Sequence, residues 1–161
     1  MKKIFPCLLV IVLLVGLGGC GTVDQKASFN EGDFQPYLAS GRSSVFGHAF
    51  VRTPNGLKHN AAGLPVYLVP LTPYTEERAE IMLAGKTPSP ADPRMDKYVR
   101  TEIADVGGQF KFADLPAGSY LVFCKIEWVG GKYGGVDYFA VSKTTVAAGE
   151  RKHVVATRVD Q

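Results

Sequence analysis

His48, His59 and His153 are the side chains of this 161-residue chain best suited to hold a metal or move a proton, and their spacing argues against both roles. Zinc sites draw three or four His, Cys or carboxylate ligands from recognisable short spacings. Here the histidines fall in separate segments, with no H-x-H, H-E-x-x-H or C-x-x-C. A lone His in a strand is by default a hydrogen-bonded structural or surface residue. Nucleophilic catalysis has no better support, because there is no G-x-S-x-G elbow and no Ser/His/acid set can be assembled from scattered residues. The run Gly130-Gly131-Lys132-Tyr133-Gly134-Gly135 is glycine-rich but lies between strands and opens no helix. It therefore lacks the amide array and dipole that cradle a phosphate. The expectation is a protein that is not an enzyme, with no metal and no cofactor.

The cysteines point to a location instead of a reaction. Lys2 and Lys3 precede an apolar run from Ile4 to Leu17, which ends Leu17-Gly18-Gly19-Cys20. A basic start, an apolar stretch shorter than a bilayer span and small residues before a cut describe a secretory signal peptide. The Leu-Gly-Gly-Cys ending resembles the bacterial lipobox, which implies that Cys20 becomes the lipidated first residue of the mature protein, with acyl chains such as palmitate holding it on the membrane. Residues 1–19 are then the lipoprotein signal peptide, and the location is the bacterial cell envelope. Gly21 in place of an Asp after the cysteine favours the outer membrane. Cys7 leaves with the signal peptide, so Cys124 stays as a lone thiol with no disulfide partner. It sits on a strand whose alternate residues are Tyr120, Val122, Ile126 and Trp128, where a cysteine behaves as a small hydrophobe.

Charge and size narrow the rest. The formal charge of +3 includes the two lysines of the signal peptide, so the remainder is almost balanced and nothing suggests a nucleic-acid partner. From Gly21 to about Gly41 the chain is polar, with Phe29, Phe34 and Tyr37 scattered and no sustained period. Residues 20–41 are expected to be a lipidated cysteine and flexible tether with an end-to-end distance of roughly 25 Å. Residues 42–161 are enough for a single domain with its own core.

The elements of that domain are short strands. Ser44 to Arg52, Leu64 to Leu71, Lys97 to Asp105, Gly108 to Ala113, Ser119 to Val129, Val136 to Val146 and Arg151 to Val159 make about seven. Gly47 inside the first marks a bulge or a close backbone approach. Phe110 and Phe112 alternate with Gln109 and Lys111, and Leu115-Pro116-Ala117-Gly118 presets the next reversal. The line from Asp105 through Gly108, Phe110, Phe112, Leu115, Pro116 and Gly118 to Tyr120 resembles the carboxypeptidase regulatory-like domain, a small transthyretin-like sandwich. That resemblance covers about residues 44–160 and implies an all-β fold, an antiparallel seven-stranded β-sandwich with one short helix in an insertion. Enzymes that share such a core are set apart by what is missing: the H-x-H pair of intradiol dioxygenases, and the C-terminal Tyr-Arg-Gly-Ser of hydroxyisourate hydrolases, where this chain ends Thr157-Arg-Val-Asp-Gln161. No peptidase module, which would bring zinc and a catalytic Glu, is expected in these 161 residues.

Two surfaces are left to carry a binding role. The insertion, residues 72–96, opens on Thr72-Pro73, an N-cap and first-turn pair, and its helix stops at Gly85. It is expected to contact a partner, to cover an open edge of the sandwich, or both. The glycine-rich hairpin lies between Trp128 and Tyr138 and carries Tyr133 at its tip. Candidate contact residues are Tyr74, Met82, Trp128, Tyr133 and Tyr138. The expected function is a membrane-anchored adaptor that contacts another envelope protein; the alternative is a carbohydrate- or peptidoglycan-binding module, since exposed aromatics can stack on sugar rings.

Overall fold

The computed structural model describes residues 22–53, 56–128 and 136–159. Eight strands carry the fold: β1 (Ser43–Arg52), β2 (Lys58–Asn60), β3 (Pro65–Pro70), β4 (Arg100–Ile103), β5 (Gln109–Leu115), β6 (Gly118–Trp128), β7 (Val136–Val146) and β8 (Arg151–Val159). They form one curled sheet in the order β2-β1-β8-β7-β6-β3-β4, with β5 also paired to β1. One edge of β1 is shared in series, Ser43 to His48 pairing with β5 and Phe50 to Arg52 with β2. Strand β2 is an addition to the expected seven. The antiparallel expectation also needs correction, because β1 and β8 run parallel in unbroken register from Ser44↔Arg151 to Arg52↔Val159. A parallel pair requires a long crossover, and here nearly the whole domain intervenes between its two strands. The sheet is therefore mixed.

Alternation along each strand decides what faces inward. Strand β1 turns Val45, Ala49 and Val51 into the principal core, β5 contributes Phe110, Phe112 and Leu115, and β8 contributes Val154 and Ala156. Across that core, β3 supplies Val66 and Leu68, and β6 supplies Tyr120, Val122, Cys124 and Ile126. Close approach of β1 to β8 requires glycine at 47, where a Cβ would collide with the Val154 carbonyl oxygen. Near the start of β1 the register slips, so that Val45 faces Phe112 and Ser43 faces Leu115. The extra residue on β5 forms a bulge, and Asp114 there adopts φ 56°, a left-handed conformation that Asp tolerates better than most side chains.

A second, smaller core lies on the other face of β3 and β6. Val69 and Leu121 pack there with Tyr74, Ala79, Met95, Tyr98 and Phe34, flanked by Phe123 and Val141. Most of this layer comes from the insertion. Helix α2 (Pro73–Leu83) is capped reciprocally, the Thr75 amide donating to Thr72 Oγ1 at 3.3 Å and the Thr72 amide to Thr75 Oγ1 at 2.9 Å. It ends before Gly85 at φ +71°, as the sequence predicts. A 3-10 helix, Pro93–Tyr98, completes the excursion and shortens the strand that follows it to four residues. The layer covers a sheet face, where an edge cover was expected.

The rest of the layer comes from residues expected to be a flexible tether. Asn30 caps a single helical turn, α1 (Glu31–Phe34), which continues as a 3-10 turn over Gln35–Leu38. Phe34 is fully buried, stacked on Phe29 at 4.8 Å and tilted against Tyr98 at 5.0 Å. Burying such a ring contributes about 3 kcal/mol, enough to hold a short segment down. Upstream, Val23 bridges Pro88, with its amide donating to the Thr87 carbonyl at 2.8 Å and its carbonyl accepting from Ser89 at 2.9 Å. The amides of Lys26 and Ala27 donate to the Glu77 carboxylate at 2.7 to 3.1 Å. These contacts hold its carboxyl below the usual range. The insertion and the N-terminal segment are thus partners of each other.

Candidate functional site

The same alternation that fills the principal core leaves a row of side chains on the outside of β5, β1 and β8. In register, Lys111, Phe46 and His153 stand side by side, and Gln109, His48 and Val155 form the next row. The Phe46 ring lies edge-on to His153 at 5.4 Å, and the Arg151 guanidinium sits 5.6 Å from its centroid. His48 and His153 are 6.2 Å apart, ring to ring. Two histidines that look scattered along the sequence are neighbours because the strands carrying them are parallel partners.

The opposite wall rises from β4 and the turn after it. Glu102 and Ile103, 63% exposed, come from the strand itself. Asp105 comes from the turn, and its orientation is fixed: Oδ1 accepts the amides of Gly107 and Gln109, both at 2.8 Å. Its own amide donates to the Gln109 carbonyl at 2.9 Å, and Gly108 at φ +79° completes the reversal. Between the walls is a cleft of about 440 Å³, within the range of small-molecule sites. One wall carries carboxylates and the other Arg151 and Lys111, with Phe46 and Ile103 as apolar surface between polar groups.

Such an arrangement can bind a ligand rich in both donors and acceptors. Among the described residues no group of three or more His, Cys, Asp or Glu is placed to hold a metal. Cys124 is fully buried, and burial pushes its thiol up to about 11.

The candidate contact residues named from the sequence do not converge on this cleft. Tyr74 is buried beneath the N-terminal segment, edge-on to Phe29 at 5.5 Å, with its hydroxyl accepting the Asp92 amide at 2.8 Å. Met82 is half-buried beside Val69, Met95, Leu121 and Phe123, around a gap of about 40 Å³. Tyr138 packs partly against the principal core, its ring 6.0 Å from the Arg158 guanidinium. Cys20 and Tyr133 lie outside the described residues, as does the side chain of Trp128, whose backbone pairs with Val136. The residues that do converge, Phe46, His48, Glu102, Asp105, Gln109, Arg151 and His153, come from four strands and a turn. Their only sequence signal is that they occupy the outward phase of alternating strands.

No family model matches this chain, and no curated protein does. Among solved structures, a candidate carbohydrate-binding protein of Pseudomonas aeruginosa superposes with a TM-score of 0.70 at 23% identity, covering 82% of this chain and 99% of that one. At that identity the likeness shows a shared fold. An (S)-allantoin synthase gives a TM-score of 0.38 at 14% identity, covering 74% of this chain and 41% of that one.

Proposed function

We propose that this chain is a non-enzymatic saccharide-binding module of the bacterial cell envelope, held on the membrane by a lipid at Cys20, whose combining site is the cleft on β5, β1 and β8. One observation carries the reading: Phe46 and Ile103 offer apolar surface flanked by Glu102, Asp105, Gln109, Arg151 and His153. A sugar ring presents an apolar C–H face and an edge of hydroxyls that donate and accept together. Aromatic surface suits the face, and carboxylate, amide and guanidinium groups suit the edge in bidentate fashion. The Pseudomonas neighbour, described as a candidate carbohydrate-binding protein, is consistent with this at the level of fold, which is analogy only. The curled sheet is read here as a variant of the transthyretin-like sandwich, and the lipobox resemblance with Gly21 favours the outer membrane.

The adaptor reading keeps one supporting observation. Val106, 91% exposed in the turn after β4, and Ile103, 63% exposed at the end of that strand, are apolar side chains open to a protein partner. Titration of the protein with neutral and uronic-acid oligosaccharides, followed by amide shifts, separates the two. Saturable shifts at Phe46, Gln109 and His153 that vanish in Phe46→Ala support saccharide binding. Silence with every glycan, together with a protein partner whose binding is lost in Val106→Ser, would move the function to the adaptor.

A further inference from the structure

We infer that the saccharide taken by this module is a linear acidic one, and that its site runs on past the cleft, along the outer face of β1, to a second station at Phe50. The inference rests on the saccharide reading of the cleft and adds to it the charge of the ligand and a further subsite. The outward phase of β1 presents Phe46, His48, Phe50 and Arg52 in turn. In register, Phe50 lies between Asn60 of β2 and Thr157 of β8, and Arg52 lies beside Lys58. The two rings repeat one arrangement. The Arg151 guanidinium is 5.6 Å from the centroid of Phe46, while the Lys58 ammonium and the Arg52 guanidinium are 4.3 and 5.7 Å from that of Phe50. A cation held over an aromatic ring is partly ordered before any ligand arrives, which lowers the entropy cost of binding.

Charge along this face is of one sign and unpaired. Strands β1, β2 and β8 contain no Asp or Glu. Among the described residues, Arg52, Lys58, Lys111 and Arg151 have no carboxylate at ion-pair distance, whereas Arg94, Lys97, Lys125, Lys143 and Lys152 each have one. Glu102 and Asp105 stand on the opposite wall of the cleft, with Asp105 Oδ1 already taken by two amides. An acidic ligand therefore turns its carboxylates toward the cations of β1, β2 and β8 and its hydroxyls toward that wall. Phe46 and Phe50 are separated by about 13 Å of extended strand, and the strip from Arg151, opposite Ser44, to Arg52 runs on the order of 26 Å. Such a length suits several rings of a linear chain. His48 and Val155, the latter 43% exposed, floor the interval between the two stations.

The test uses the full chain, expressed in a bacterial host and kept in nonionic detergent. It is titrated with digalacturonate, with hexagalacturonate and with the hexamer whose carboxyls are methyl-esterified, and binding is followed by calorimetry and amide shifts. At low salt the acid hexamer is expected to bind about tenfold tighter than its ester, to lose that margin as salt rises, and to shift the amides of Phe50 and Lys58 as well as Phe46. Arg52→Gln combined with Lys58→Gln is expected to weaken the acid hexamer about tenfold, toward the affinity of digalacturonate. If acid and ester bind equally, or hexamer no tighter than dimer, the acidic class and the second station are overturned and the saccharide reading stands. Silence with all of these and with neutral oligosaccharides overturns both. Equal affinity for an oligothymidylate of the same charge would overturn the saccharide assignment of the strip and make it a nucleic-acid face.

Discussion

The Tyr37 ring lies across Gly118, so close that a Cβ on residue 118 would sit 2.7 Å from its Cε1, and its hydroxyl accepts the Ser119 amide at 3.2 Å. One aromatic from the N-terminal segment thereby covers the turn between β5 and β6, edge-on to Tyr120 at 5.2 Å. Gly118→Ala forces the ring or the strand to move and is expected to cost about 1 to 3 kcal/mol. The check is a urea midpoint measured with and without Tyr37→Ala. The two substitutions should be non-additive, since removing the ring removes the clash.

Phe34→Ala separates a docked segment from a loose one. With the ring fully buried, truncation is expected to cost about 3 to 5 kcal/mol. A residue in a solvated tether would change stability by less than about 0.5 kcal/mol. Thermal or urea unfolding of the single variant distinguishes these outcomes.

Glu77 clasps the same segment through charge. The Lys26 and Ala27 amides hold its carboxyl below the ordinary 4.5, so the clasp is complete above that pH and is released as pH falls through the lowered value. Hydrogen exchange at Lys26 and Ala27 should be slow at neutral pH and fast in Glu77→Gln. If exchange at these two amides were equally slow in that variant, the carboxylate would not be what secures the segment.

Alkaline stability should report burial of two side chains. Desolvation raises the Cys124 thiol to about 11 and the Tyr120 hydroxyl to about 12, against ordinary values of 9.0 and 10.0. Above those ordinary values the unfolded chain gives up protons that the folded chain keeps, so stability is unaffected below pH 9 and declines as pH rises toward 12. Cys124→Ala should flatten the part of that decline between pH 9 and 11. At pH 8, a thiol reagent should label Cys124 only at the rate of unfolding.

Local signals were legible where one residue decides one piece of geometry. Thr72 and Pro73 start α2, Gly85 stops it, Gly47 admits a neighbouring strand, and Phe110 with Phe112 set the phase of β5. Pairing was less legible, because an alternating strand reads the same whichever neighbour it has. Nothing in residues 43–52 or 151–159 says that the two run parallel. Strand β2 is only three residues long, too short for a period. Phe29, Phe34 and Tyr37 have no helical or strand spacing, since Phe29 and Phe34 stack together on the small core while Tyr37 packs on the principal one, against surfaces made by distant residues. The cleft was hidden for the same reason: His48 and His153 become neighbours only once β1 and β8 are in register.

The parallel register of β1 with β8 also orders events in time. During synthesis β1 emerges early, yet its partner along its length is the last strand of the sheet. Until residues 151–159 arrive, one edge of β1 stays open, with its amides and carbonyls free to template another chain. Closure of this long-range pair should limit the folding rate, as non-local pairing generally does. The interval before closure is when the nascent protein most needs a holdase, and a chain cut short of residue 151 would remain in that vulnerable state permanently.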